Sequence, residues 1–305
     1  MNRPIELNAC LANKKTFDDV EIDYFDAFYL GQPYCLKFQG NFMVNTDDLE
    51  LAVDILHDKG KKAYLVTPAI PTGSDLPLVR KALKSAEKAG IDGVEASDVG
   101  VFRLIRNEFP DLRVHVGNFA NVYNDRSATL FKELGATRIV PAQELTKDEL
   151  SDVVNIEGVE FERPIHGPLS LGMAFSCFFM KNEENGKCLQ GCDGDYFMEL
   201  DGWRMRSVGT SVLMGEDYCL IEHLQDLLKL NFAAWRLETY FDSAEKISLL
   251  GKFYNQALSA AVEDRVVGIE IVQAAGELSL KGLCNGWHFG KSGRVYVARE
   301  DLDVK

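Results

Sequence analysis

Eight short apolar segments alternate with amphipathic stretches from residue 5 to about residue 260, and this rhythm limits the fold more than any other feature of the chain. The segments are 5–11, 27–30, 62–66, 93–96, 113–116, 138–140, 159–165 and 233–237. Between them, Thr46-Asp47-Asp48 opens a helix with Leu49, Leu51, Val53, Ile55 and Leu56 as its apolar positions. The stretch 75–89 repeats the pattern and stops at Gly90, a residue suited to the turn after a helix. Stretches 98–107, 124–134, 147–154, 222–230 and 243–260 supply further helices. Strands alternating with helices predict an α/β fold, an atypical (β/α)8 TIM-like barrel over residues 1–260, with an open doubly wound sheet as the runner-up. Residues 261–305 form a short C-terminal extension packed on the barrel, including a hairpin at Arg294-Val295-Tyr296-Val297.

One interval breaks the rhythm. From residue 166 to 219 the chain is rich in Cys, Gly and aromatic residues and has no helical period, so a Cys-rich insert follows the seventh strand. A long irregular insert in a compact domain is usually functional or organised by a ligand. Cys177, Cys188 and Cys192 lie in it, separated by ten and three residues, a spacing that lets thiolates close around one soft metal centre. Zinc and iron–sulfur clusters both take four ligands, so a fourth has to come from elsewhere. Cys35 ends Tyr29-Leu30-Gly31-Gln32-Pro33-Tyr34-Cys35, just after the second strand. In a barrel both segments reach the C-terminal face, where active sites collect. Spacing alone leaves zinc and iron–sulfur open, with ordinary buried thiols as the plain alternative.

Charge narrows the partners. Lys and Arg number 33 against 47 Asp and Glu, a formal net charge of −14, and no basic run suggests a phosphate-binding face. Nucleic acid and anionic membranes are therefore disfavoured. The start, Met1-Asn2-Arg3-Pro4-Ile5-Glu6, has no apolar leader, and nowhere do eighteen apolar residues run together, so a cytoplasmic protein without a membrane span is expected. Thiols stay reduced there, and the seven cysteines read as ligands or packed side chains rather than disulfides.

Other side chains are candidates by position. His166 opens the insert at the end of the seventh strand, and is expected to move a proton or bond to the cluster or substrate. Glu144 and Glu162 stand near strand ends as acid–base candidates. Arg236 and Glu238 are candidate substrate contacts, with a structural ion-pair network as the alternative. Asn121 and Asn124 offer amides to a substrate, although Asn124 is better placed to cap the helix that follows. His115 reads as a core histidine. Cys10, Cys219 and Cys284 have no ligand motif.

The run Glu162-Arg163-Pro164-Ile165-His166-Gly167-Pro168-Leu169-Ser170-Leu171-Gly172-Met173-Ala174-Phe175-Ser176-Cys177 resembles the signature of the U32 "peptidase" family. Glu95-Ala96-Ser97-Asp98-Val99-Gly100, Asn121-Val122-Tyr123-Asn124, Pro141-Ala142-Gln143-Glu144-Leu145 and Cys284-Asn285-Gly286-Trp287 extend the likeness over nearly the whole chain. The best subgroup match is the UbiV type, in which one cysteine follows an early Tyr-Leu-Gly and three follow the His-Gly segment. Other branches place a ligand where Ser170 stands here. The resemblance implies a 4Fe–4S cluster on Cys35, Cys177, Cys188 and Cys192 and a UbiU-like U32 subunit as heterodimer partner. It also implies O2-independent hydroxylation of a ubiquinone precursor, with prephenate as the implied oxygen source. Ser176 and Met180-Lys181 depart from the usual residues beside the ligand. Two alternatives stand beside it: U32-type hydroxylation of RNA bases, and a non-catalytic partner with a structural or electron-passing cluster. Peptidase activity is not expected, because neither His-Glu-x-x-His nor Gly-x-Ser-x-Gly occurs.

Overall fold

The computed structural model describes residues 5–174, 176–182, 188 and 194–299. Seven parallel strands come first: β1 (Glu6–Leu11), β2 (Ala27–Leu30), β3 (Lys62–Val66), β4 (Gly93–Ala96), β5 (Val114–Val116), β6 (Arg138–Ile139) and β7 (Glu160–Gly167). An insert contributes β8 (Ser170–Met173), β9 (Phe197–Leu200), β10 (Trp203–Val208), β11 (Ser211–Met214) and β12 (Asp217–Cys219). The eighth barrel strand is β13 (Ala234–Leu237), and β14 (Leu283–Cys284) lies in the tail. β13 pairs in parallel with both β1 and β7, which closes an eight-stranded (β/α)8 barrel and rules out the open sheet.

Helices α1 (Lys14–Asp19), α2 (Thr46–Asp58), α3 (Leu76–Lys88), α4 (Val99–Glu108), α5 (Asp125–Glu133) and α6 (Lys147–Val153) follow the first six strands in turn. In the insert lies α7 (Phe178–Asn182). The short α8 (Leu224–Leu227) precedes β13, and the long α9 (Ala244–Val262) and α10 (Ile269–Glu277) follow it. Each outer helix buries one stripe on the barrel. In α3 the buried positions are Val79, Ala82, Leu83 and Ala86, one face of a 3.6-residue period. Asn124 caps α5 by accepting from the Ser127 N–H at 2.9 Å.

The insert is more regular than its sequence implies. β8, β11, β10 and β9 form a four-stranded antiparallel sheet over the barrel, and β12 pairs antiparallel with the end of β7. The tail differs from expectation as well. No hairpin forms at 294–297; α10 and the pairing of β14 with β12 carry the extension instead. Those residues meet the rest of the chain through single bonds, such as the Val297 carbonyl accepting from His223 Nε2 at 2.9 Å.

Candidate active site

The barrel interior is charged, whereas branched apolar layers are usual in this architecture. Period-two alternation turns Asn8, Tyr29, Glu95, His115, Arg138, Glu162 and Arg236 inward, and all are buried. Glu162 Oε2 accepts from Tyr29 Oη at 2.7 Å, from Arg138 Nη1 at 3.0 Å and from Asn8 Nδ2 at 3.4 Å. Arg236 Nε lies 3.3 Å from Glu162 and 3.0 Å from Glu238, and Arg236 Nη1 donates to Glu95. At the lower end Arg138 also reaches Glu6 at 2.7 Å; although burial pushes that carboxyl up, Arg138 and Lys62 hold its pKa down to about 2. His115 Nδ1 pairs with Tyr29 Oη at 2.9 Å and is kept neutral by burial and the surrounding arginines, a satisfied core histidine.

The ion network therefore takes Glu162 and Arg236 into its centre, and only its upper members reach the mouth. Glu95, Arg236 and Glu238 floor a small chamber with about 10 Å³ of free space, walled by Tyr34, Asn118, Gln143, Ser170 and Tyr240. Burial first, then the Glu95 and Glu162 charges, raise the Glu238 pKa to about 7 against the pull of Arg236. Gln143 is fixed on both sides: it accepts from Asn118 Nδ2 at 3.0 Å and donates to the Ser170 carbonyl. Arg163, on the outer face of β7, donates to the Ala142, Gln143 and Leu145 carbonyls at 3.1–3.3 Å and so holds that loop. Aromatic rings roof the chamber, Tyr34 packing against Phe119, Tyr240 and Phe241 at centroid distances of 5.5–5.8 Å.

Beyond Tyr34 a second cleft of about 560 Å³ opens, lined by Cys35, Cys177, Met173, Ala174, Met180 and Thr210 among others. One tight turn brings its cysteines together. Between β10 and β11, Thr210 Oγ1 donates to the Tyr34 carbonyl at 2.6 Å, and the Gly209 carbonyl accepts from the Phe178 N–H at 3.2 Å. The residues beside Cys35 and Cys177 are thus tied to the same two-residue segment. Gly209 has φ +57 and its Cβ position would lie 3.7 Å from Cys35 Cβ, so a larger residue there is both strained and in contact with the thiol side chain. The Cys35 backbone is set by buried Gln32, whose Oε1 accepts from the Cys35 N–H at 3.1 Å, and by Asn41, which donates to its carbonyl at 3.3 Å.

Burial pushes the Cys35 thiol up, and the nearby Cys177 and Cys188 charges push it further, so three thiols share one electrostatic neighbourhood. Cys188 is exposed, and Cys192 lies outside the described residues. Among the described residues no three His, Cys, Asp or Glu side chains stand close enough together to hold a metal ion. The donor set still fits a soft centre: two thiols beside the Met173 and Met180 thioethers, in a cleft walled largely by apolar atoms, with Asp75 as the carboxylate among its lining residues.

Three expected site residues lie elsewhere. His166 is fully buried against α9, Nδ1 pairing with Tyr254 Oη at 3.2 Å, and burial followed by Lys246 holds its pKa down to about 3. A β-bulge explains its direction. Arg236 pairs with Pro164 but Leu237 pairs with His166, so the skipped residue turns His166 from the barrel interior to the helix layer. Glu144 is exposed on the rim and accepts from Tyr123, while its neighbour Gln143 lines the chamber. Asn121 is also exposed, with φ 55, ending a short 3-10 turn. Sequence reading passed over Tyr34, Asn118, Gln143 and Tyr240. Three of these lie within two residues of a noted strand end or motif, the only signal they carry.

Fold and site together define a (β/α)8-barrel protein with a thiol-lined cleft above its mouth. The chain belongs to peptidase family U32, whose pattern matches residues 16–296. It is 32% identical over 181 residues to tRNA hydroxylation protein P of Haemophilus influenzae, covering 57% of this chain and 39% of that protein. To an uncharacterized protease of Methanocaldococcus jannaschii it is 29% identical over 83% of this chain and 65% of that one. To tRNA hydroxylation protein P2 of Bacillus subtilis it is 25% identical, over 78% and 81%. The chain thus spans about two fifths of the length of the Haemophilus relative. A solved U32 peptidase structure superposes with a TM-score of 0.50 at 17% identity, covering 78% of this chain and 94% of that one, which agrees with the barrel. No helix among the described residues is long and apolar enough to cross a membrane.

Proposed function

We propose that this chain is an O2-independent hydroxylation factor that holds a 4Fe–4S cluster on Cys35, Cys177, Cys188 and Cys192 and acts on an RNA base. The cluster rests on one observation: an early cysteine and one from the insert, 142 positions apart in sequence, line the same cleft through a shared turn. Hydroxylation and RNA rest on the relatives, several named tRNA hydroxylation proteins and one a 23S rRNA 5-hydroxycytidine synthase of Escherichia coli, 22% identical over 79% of this chain. That substrate runs against the expectation drawn from net charge. When bound, the cluster supplies the electron transfer that acid–base side chains lack. The chain's own residues do the rest: Gln32 and Asn41 fix the Cys35 loop, Tyr34 stands between the cleft and the barrel chamber and lines both, and Met173 and Met180 give the cleft an apolar lining.

A second reading keeps the same cluster and changes the substrate to a ubiquinone precursor, with a UbiU-like partner and prephenate. What favours it is Cys35 in the site, the UbiV-type arrangement, together with the formal charge of −14. Anaerobically prepared protein, alone and with a UbiU-like subunit, would be given unmodified tRNA and rRNA fragments or the quinone precursor, and products read by mass spectrometry. Addition of one oxygen to an RNA base supports the first reading. Addition only to the quinone ring replaces it with the second, and transfer to neither refutes both.

A further inference from the structure

We propose that Glu95 and Glu238 share one proton above Arg236 and exchange it, through the chamber under Tyr34, with the cleft where hydroxylation takes place. This rests on the hydroxylation reading and assigns that reaction its proton-holding group. The argument begins with a count of partners. Glu162 is held by Tyr29, Arg138 and Asn8 in addition to Arg236, so its negative charge is well met. Glu95 and Glu238 both rely on the single Arg236 guanidinium. Two carboxylates on one cation, with Glu95 and Arg236 buried and only a tenth of the Glu238 side chain exposed, cannot both ionise at low cost, and a proton relieves the surplus. The other titratable groups facing them are Cys10 from β1, Tyr34 from the loop after β2 and Tyr240 from the loop after β13, and none brings a positive charge. The upward shift of both carboxyls agrees with this arrangement.

Position gives the proton somewhere to go. The chamber beside the two carboxylates has room on the scale of one water. Pro33 and Tyr34 wall both this chamber and the cysteine cleft, so the two cavities are separated by the residues that immediately precede Cys35. Gln143, Asn118 and Ser170 provide polar contacts for a water there. The step assigned is proton transfer alone. Once a C–O bond has formed at a ring carbon, the C–H bond of that carbon breaks, its electron pair returns to the ring, and its proton crosses at Tyr34, which lines both cavities, and passes by way of the water to the Glu238 carboxylate. The oxygen atom and the two oxidising equivalents come from the co-substrate, an oxygen donor of the prephenate class, and are consumed in forming the C–O bond before this proton moves.

Infrared titration of the full chain without cluster tests the proton store independently of turnover. Wild type should lose one protonated-carboxyl band with a midpoint near 7. Glu238→Gln should abolish that band, and Glu95→Gln should move its midpoint to lower pH by removing the like charge. In loaded protein, the acid limb of the hydroxylation rate should follow the same midpoint, and Glu238→Gln should slow the reaction by about a hundredfold and flatten that limb, with Glu238→Asp restoring part of it. A wild-type protein with no such band, or a band unchanged in both Gln variants, overturns the proposal. A band that follows Glu238 in a protein that hydroxylates nothing refutes the hydroxylation reading and supports the shared proton.

Discussion

Glu162 has no solvent exposure and sits between two guanidiniums, a tyrosine and an asparagine. Replacing it with Gln keeps the shape but leaves two buried cations short of a partner, which should cost about 3–5 kcal/mol in denaturant unfolding. Glu238 acts in the opposite direction. Its pKa is raised from 4.5 to about 7, so the folded state binds the extra proton; the stability this gives is fully present below 4.5 and is lost as pH rises through 7. Over that window wild type should lose roughly 3 kcal/mol relative to Glu238→Gln, read from unfolding midpoints at a series of pH values. Residue roles were only partly legible in sequence. An ion network of Arg236 with Glu162 and Glu238 stood only as the alternative to catalytic and substrate roles, and Glu95 was seen only as part of a motif. Nothing in a strand's alternation distinguishes an inward carboxylate that meets an arginine four strands away, across the barrel, from one that meets water.

At the scale of elements, the eight barrel strands were legible because each is a short apolar run ended by polar or turn residues. The bulge in β7 was not legible, and it decides where His166 points. Just after it, Gly167 has φ +106, and an added Cβ would lie 2.5 Å from the Glu238 carbonyl. Gly167→Ala should therefore destabilise the barrel end by more than the roughly 1 kcal/mol of an ordinary glycine exchange, measured by thermal unfolding. The insert's strands escaped detection because β9 and the start of β10 carry exposed apolar residues, Met198, Leu200 and Trp203, instead of a buried alternation. The turn between β10 and β11 carries the weight of the site. Gly209→Val should strain the backbone and press on Cys35, so that reconstituted protein loses iron to a chelator several-fold faster while its far-ultraviolet circular dichroism stays native.

For the molecule as a whole, a closed barrel collects loops from distant parts of the chain at one face, which is why a cysteine after β2 meets one from an insert after β7. That convergence was readable in advance from topology, since both segments follow strands and parallel strands end on the same side. Net charge bears less on the proposed substrate, because it describes the whole surface and says little about a local groove. The names of the relatives support the proposed class of chemistry, and the cleft is the place proposed for it. The most direct measurement is iron and acid-labile sulfide content, with visible and paramagnetic spectra, of anaerobically purified wild type beside Cys35→Ala. A brown wild type with about four irons and four sulfides per chain, and a colourless variant, is the predicted result. A colourless wild type, or a Cys35→Ala protein that keeps its full iron and colour, would contradict the account.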